Sequence, residues 1–189
     1  MTDKESIRKT ILQIREDLPE EEALQKSKLV LTQLENLPEY RNAGLVHTYA
    51  SSKPNEVDTI MLIARSFARG KRIALPVIVN QKLHALDTSE LMNLGDLTNG
   101  ELGIKEPKVF SKVSLEDVDI FIVPVIAVDR EGNRIGWGQG YYDRLLKAQP
   151  KPKVALAYKF QIVDKIEASE TDVRVDYIVT EDAIIKINI

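Results

Sequence analysis

The sequence contains no cysteine, which excludes disulfides, thiolate-bound zinc and cysteine nucleophiles. It has only two histidines, His47 and His84. A histidine-rich metal site is therefore excluded, and a Ser-His-Asp triad would need one of those two. Aromatic residues make up 6%, with a single tryptophan, and there are 9 glycines and 8 prolines in 189 residues. That is too little Gly and Pro for a collagen-like or low-complexity chain. The longest uncharged apolar stretch, Ile120 to Val128, is interrupted by Pro124 and falls far short of the ~20 residues that span a bilayer. The opening MTDKESIRKT lacks the apolar core of a signal peptide, so a soluble cytoplasmic protein is expected, with no membrane partner. Neither sign of charge is in large excess, with 26 basic and 29 acidic residues and a net charge of −3. This argues against bulk affinity for nucleic acid but leaves room for a local basic pocket.

What is present is ordinary globular material, 43% hydrophobic and 29% charged, and its length fits one domain over 1–189. Thr2 and Glu5 have capping-box spacing, and Ile7, Ile11, Ile14 and Leu18 recur at helical intervals. Lys4, Arg8 and Arg15 lie off that stripe. Lys4 and Arg8 share a face, whose plain reading is a solvated basic surface. A second helix is predicted from Pro19 to Leu37, stopped by Pro38, and a third from Val57 to Arg69 with Gly70 as cap. Strands are predicted at Gly44 to Ala50, at Arg72 to Val77 (ended or bent by Pro76), at Asp119 to Val128, at Lys153 to Tyr158 and at Tyr177 to Thr180. Leu83 to Leu86 is a candidate short strand, Leu91 to Ile104 reads as irregular, and a helix is expected from Tyr141 to Lys147. The alternation predicts an α/β layered sandwich, with a mixed, mostly parallel, Rossmann-like sheet and helices on both faces.

The sharpest local feature is NRIGWGQGYYDR, Asn133 to Arg144, with glycines at 136, 138 and 140 between a buried strand and a helix. Such a loop offers backbone N–H groups as an anion cradle. Arg134 adds a guanidinium fork, and Asp143 is a carboxylate of the kind that holds Mg²⁺ together with phosphate oxygens. The motif is neither a dinucleotide fingerprint nor a Walker A loop. Glu56 closes the loop after the first strand, at the expected mouth of a ligand crevice; the competing reading places it at a helix N-terminus for electrostatic reasons. Asp172 and Asp176 precede the last predicted strand, as a second metal carboxylate or as solvated loop residues. His47 reads as a packed strand residue, and His84 has no motif around it. Trp137, between glycines, marks a stacking surface.

These residues together resemble the 5-formyltetrahydrofolate cyclo-ligase family. The resemblance begins with Lys4 and Arg8 in K-x-x-x-R and continues through Tyr49 to Glu56, Gly70 to Pro76 and Gly103-Ile104-x-Glu106-Pro107. It is strongest in the block from Val123 to Leu146 and ends with Gln161 and Asp172…Asp176-Tyr177…Thr180-Glu181. It departs from the family at Gln139, where many members carry Lys or Gly, at Val125 to Val128, and at the bulky Trp137.

The resemblance implies closure of a reduced folate, 5-formyltetrahydrofolate, to the 5,10-methenyl form, coupled to hydrolysis of ATP with Mg²⁺. It implies that Lys4, Arg8, Arg134, Gly136, Gly138, Gln139, Gly140, Tyr141 and Tyr142 hold ATP, with Arg134 and Tyr142 nearest the chemistry. It implies that Ser51, Glu56, Trp137 and Tyr141 face the folate, that Asp143 and Asp172 hold the metal, and that the protein is a monomer or weak homodimer. A non-catalytic nucleotide- or pterin-binding module and a sugar-phosphate isomerase-like enzyme are the competing readings.

Overall fold

The computed structural model describes residues 3–80, 85–100 and 103–188. Thr2, Leu83 and His84 lie outside them. The centre is a seven-stranded sheet. Its parallel strands are β1 (Leu45–His47), β2 (Arg72–Asn80), β6 (Ile120–Val123), β9 (Lys153–Leu156) and β11 (Tyr177–Val179). The antiparallel edges are β3 (Ala85–Leu91) beside β2 and β12 (Ile184–Lys186) beside β11. The full order is β12-β11-β9-β6-β1-β2-β3. Counting only the parallel strands in chain order, this is 2-1-3-4-5, so the direction of strand addition reverses between β1 and β6.

Strand residues alternate between two cores. Val46, Ile73, Leu75, Ile120, Ile122, Val154, Leu156 and Val179 pack with Val30, Leu31, Leu34, Leu62 and Ile63. Those partners belong to the helices α2 (Glu20–Asn36) and α4 (Thr59–Ala68). Leu45, Ala74, Phe121, Val123, Ala155 and Ile178 face the other way, onto Val118, Leu146 and Val175. Leu146 comes from α5 (Tyr141–Leu146). A strand buried on both faces must be apolar at every position, which is why these strands read as unbroken hydrophobic runs.

The departures from expectation have local causes. The helix α1 (Lys4–Glu16) is capped by Asp3, whose side chain accepts from Ser6 N–H. Its inner face is Ile11 and Arg15, while Ile14 is 43% exposed. Pro38 does more than stop α2: it opens α3 (Pro38–Asn42), where its missing N–H costs nothing. The strand β2 runs through Pro76, beyond the end of its pairing with β1, where only β3 flanks it. The irregular stretch after Leu91 holds a hairpin of β4 (Leu97–Asn99) and β5 (Lys105–Pro107).

The apolar run from Asp119 to Val128 is two strands. After β6, the chain turns at Pro124 into β7 (Ala127–Asp129), which pairs with β8 (Arg134–Ile135) and β10 (Ile162–Val163) in a separate small sheet. Gln161 bridges the break by donating to the carbonyls of Val125 and Ile126. The small sheet packs on α1 through Ile11, Ile126, Ala127, Ile135 and Ile166. No helix among the described residues is long and apolar enough to cross a membrane.

One buried ionic knot ties the small sheet to α5. Arg134 of β8 donates to Asp143 Oδ1 at 2.9 Å and to the carbonyl of Val173, and Val173 N–H donates to the same Oδ1 at 3.0 Å. The Arg134 side chain is only 5% exposed. Removing the cation of such a pair leaves the carboxylate without its counter-charge, with only the Val173 N–H still donating to it. Arg134→Ala is therefore expected to lower stability by about 3–5 kcal/mol, read as a lower urea midpoint at unchanged m-value. A midpoint equal to that of the wild type would mean the knot contributes nothing.

Candidate functional site

In open α/β sheets the crevice for a ligand opens at the carboxyl ends of the strands where the order reverses. Here that point lies between His47, the last residue of β1, and Val123, the last of β6. Two loops rise around it: residues 48–56 after β1, and the glycine loop 136–140, which follows the β7–β8 hairpin and leads into α5. The rings of His47 and Tyr142 meet edge to face at 6.2 Å between centroids, which sets the first turn of α5 against the end of β1.

The glycine loop is held open by its backbone. Gly138 and Gly140 have φ of 87° and 64°, a region that L side chains rarely adopt. A Cβ on Gly138 would sit 3.4 Å from Arg8 Nη2. Arg8 reaches in from α1 and donates from Nε to the Gly136 carbonyl at 2.9 Å, and it also pairs with Glu5. Arg144 donates to the Gln139 carbonyl from the far side. The loop tip, Trp137, Gly138 and Gln139, is exposed and carries no charge.

The 48–56 loop is ordered by its own polar groups. Glu56 Oε2 accepts from Ser52 N–H at 3.0 Å and Lys53 N–H at 3.1 Å. The N-cap of α4 is Asp58, so the helix-terminus reading of Glu56 is replaced by that of a loop staple. Glu56 Oε1 makes no hydrogen bond among the described residues. Ser51 N–H donates to Thr59 Oγ1 at 2.8 Å. Asn55, at a φ of 51°, donates to the carbonyls of Arg15 and Leu18 at 2.8 and 2.7 Å, so it fastens the loop to the end of α1.

Burial sets the protonation states nearby. It pushes His47 down to about 3, so the imidazole is neutral at physiological pH, and both ring nitrogens are without partners. His47 is a packed residue, as its place in a strand implies. Burial raises the Tyr142 hydroxyl, which also lacks a partner, and Tyr49 is raised for the same reason. Both phenols are neutral, able to donate a proton in a hydrogen bond but not to act as bases.

The residues singled out from the sequence fall into two groups. Glu56, Trp137 and Tyr142 gather at the crevice: Lys53 of the 48–56 loop lies over the Trp137 ring, and the charge of Glu56 adds to burial in raising Tyr142. Others are turned toward one another. Lys4 pairs with Asp172, whose carboxyl is pushed up by burial but held low overall by Lys4 and Ser169. Arg134 is occupied by Asp143 and Val173. Tyr141 lies under the Arg144 guanidinium. No cluster of three or more metal-ligating side chains occurs among the described residues. Arg15 and Asn55 were not singled out. The signal for Arg15 is its helical phase: Lys4, Arg8, Ile11 and Arg15 fall on one stripe, and this stripe faces inward.

A model of the 5-formyltetrahydrofolate cyclo-ligase family matches residues 1–181. The chain is similar to the 5-formyltetrahydrofolate cyclo-ligase of Haemophilus influenzae, with 31% identity over 175 residues covering 90% of this chain and 93% of that protein. It is equally similar to that of Mus musculus, with 31% identity over 196 residues covering 95% and 94%. Among solved structures it resembles the 5,10-methenyltetrahydrofolate synthetase of Aquifex aeolicus, with a TM-score of 0.86 and 34% identity covering 98% of this chain and 93% of that one. By its motifs, its sheet order and these matches, the chain belongs to the 5-formyltetrahydrofolate cyclo-ligase family, a family of ligase enzymes.

Proposed function

We propose that the protein closes 5-formyltetrahydrofolate to 5,10-methenyltetrahydrofolate at the expense of ATP, with Mg²⁺ as the metal. The observation that carries this reading is the positive-φ glycine loop gripped by Arg8 beside the strand-order reversal, in a chain whose family has that activity in its name. The exposed N–H groups of such a loop suit phosphate oxygens. The helix behind it, α5, is only six residues long, so its dipole adds little and the loop itself must supply the cradle.

The donor set fits a metal held mainly by phosphates. Mg²⁺ usually takes one or two protein carboxylates and completes its shell with phosphate oxygens and water. Asp143 spends Oδ1 on Arg134 and Val173 and makes no hydrogen bond through Oδ2 among the described residues, so Oδ2 is the oxygen that would hold the ion. The ion would supply charge neutralisation at the phosphates. Asp172 would join it only by giving up part of its pairing with Lys4.

The formyl oxygen is a weak nucleophile and the formyl carbon a weak electrophile. Transfer of the γ-phosphoryl group to that oxygen turns it into a good leaving group. N10 of the folate then attacks the carbon, the C–O bond breaks, the N10 proton is released, and ADP and phosphate depart. The chain's task is alignment and charge stabilisation. Arg8 fixes the loop that carries the phosphates. The neutral Tyr142 hydroxyl is a donor for a developing oxyanion. Glu56 Oε1 is placed to accept from the aminopyrimidine edge of the pterin.

The decisive assay mixes protein, Mg-ATP and 5-formyltetrahydrofolate and follows the absorbance of the methenyl product; no product with all three present refutes the reading. Glu56→Gln keeps an oxygen for the loop staple but replaces Oε1 with a donor. The folate KM is expected to rise roughly ten- to a hundredfold, from ~1–3 kcal/mol for an unsatisfied buried group, with the ATP KM and Tm little changed. An equal rise in both KM values would remove Glu56 from the folate end. Arg8→Gln should act on the other substrate: the ATP KM rises about tenfold or more, from ~1.5–3 kcal/mol for a hydrogen bond to a charged group. The folate KM stays near that of the wild type, and steady-state kinetics with each substrate varied separately tells the two variants apart.

A further inference from the structure

Arg15 is 3% exposed, yet its guanidinium makes no hydrogen bond and no ion pair among the described residues, and its Nε is buried without a partner. It lies over the Trp137 ring, with the guanidinium carbon 5.9 Å from the ring centroid, and its charge also reaches the neutral phenols of Tyr49 and Tyr158. Lys53 Nζ lies over the same ring at 5.7 Å and has no carboxylate partner among the described residues. The other cations of α1 that reach the site are compensated: Lys4 by Asp172, and Arg8 by Glu5 and the Gly136 carbonyl. Arg134 is compensated by Asp143. A buried guanidinium with no counter-charge is strongly unfavourable, and a second cation over the same ring makes it more so. The arrangement is nonetheless built. Asn55, in a left-handed conformation, ties the carbonyl of Arg15 to the loop that carries Lys53, and Glu56 pins the N–H of Lys53. The tip of the glycine loop is neutral at both Trp137 and Gln139.

We propose that Arg15 and Lys53 form an oxyanion subsite over Trp137, recruited from α1 and the loop after β1, which supplies the charge that the glycine-loop tip lacks. The guanidinium fork suits a carboxylate or a phosphoryl group. Under the cyclo-ligase reading, on which this choice of ligands rests, the candidates are the nucleotide's terminal phosphate and the folate's glutamyl carboxylates. Trp137 carries the contact through cation–π attraction and presents the remainder of its half-exposed ring to the ligand.

Calorimetric titration of the full chain with ATP, inorganic tripolyphosphate, 5-formyltetrahydrofolate and its glutamate-free analogue 5-formyltetrahydropteroate tests this. Trp137 is the only tryptophan, so its emission reports tripolyphosphate binding at the clamp directly. Arg15→Gln should weaken one class of ligand tenfold or more while Tm stays level or rises, because an uncompensated buried charge has been removed. Arg15→Lys should recover part of the loss. Weaker ATP and tripolyphosphate with unchanged folates assigns the phosphoryl group. Weaker 5-formyltetrahydrofolate with an unchanged pteroate analogue assigns the glutamyl carboxylate. Lys53→Gln, on a surface loop, should weaken the same ligand about three- to tenfold and keeps the test available if Arg15→Gln does not fold. Unchanged affinities for all four ligands in Lys53→Gln, or a lower Tm with unchanged affinities in Arg15→Gln, would overturn the proposal. None of these readouts needs turnover. A protein that binds through the clamp but forms no methenyl product refutes the cyclo-ligase reading and leaves the subsite standing.

Discussion

Val46 and His47 of β1 lie parallel to Ile120 and Phe121 of β6, while the other edge of β1 is taken by β2. The chain therefore builds outward from β1 first to one side and then to the other. Loops leaving adjacent strands that were built in opposite directions diverge, and the space between them is not filled by either crossover. The 48–56 loop, the Pro124 turn and the glycine loop all depend on that pairing for their positions. The pairing itself depends on side chains such as Val46, Phe121 and Ile122, which are fully buried and leave no alternative register that keeps both faces apolar.

The second organising feature is the inward basic stripe of α1. A helix that packs with Lys4, Arg8 and Arg15 toward the protein must find counter-charges for them. It finds Asp172, Glu5 and the Gly136 carbonyl for the first two. The small sheet of β7, β8 and β10 supplies the apolar seat through Ile126, Ala127 and Ile135, so α1 is anchored by its isoleucines and aimed by its cations. The glycine loop lies against Arg8: Gly138 and Gly140 take positive φ that glycine adopts freely and an L side chain does not, and a Cβ on Gly138 would come into contact with the Arg8 guanidinium.

Much of this was legible in the sequence. The apolar runs at Ile120 to Val123 and Val154 to Leu156 are buried strands, the Gly-Trp-Gly-Gln-Gly stretch is a loop that opens a helix, and His47 is a packed residue. The misreadings share a cause. Ile14 fits the apolar period of α1 as well as Ile11 does, and only the placement of the small sheet decides which side faces in. The run through Pro124 is continuous in composition, yet β6 and β7 join different sheets, because pairing partners far along the chain divide it.

Local chemistry by itself determined the family motif, the positions where only glycine fits, the alternation of helix and strand, and the absence of any thiol-based chemistry. These follow from residue type and spacing within a few positions. Only the tertiary structure decided what each charged side chain does. Arg134, beside the glycines in sequence, is spent on Asp143 and Val173, whereas Arg15, more than a hundred residues away, lies over Trp137 with no counter-charge among the described residues. The reason is physical: the worth of a charge depends on its burial and on its partners, and both come from distant parts of the chain.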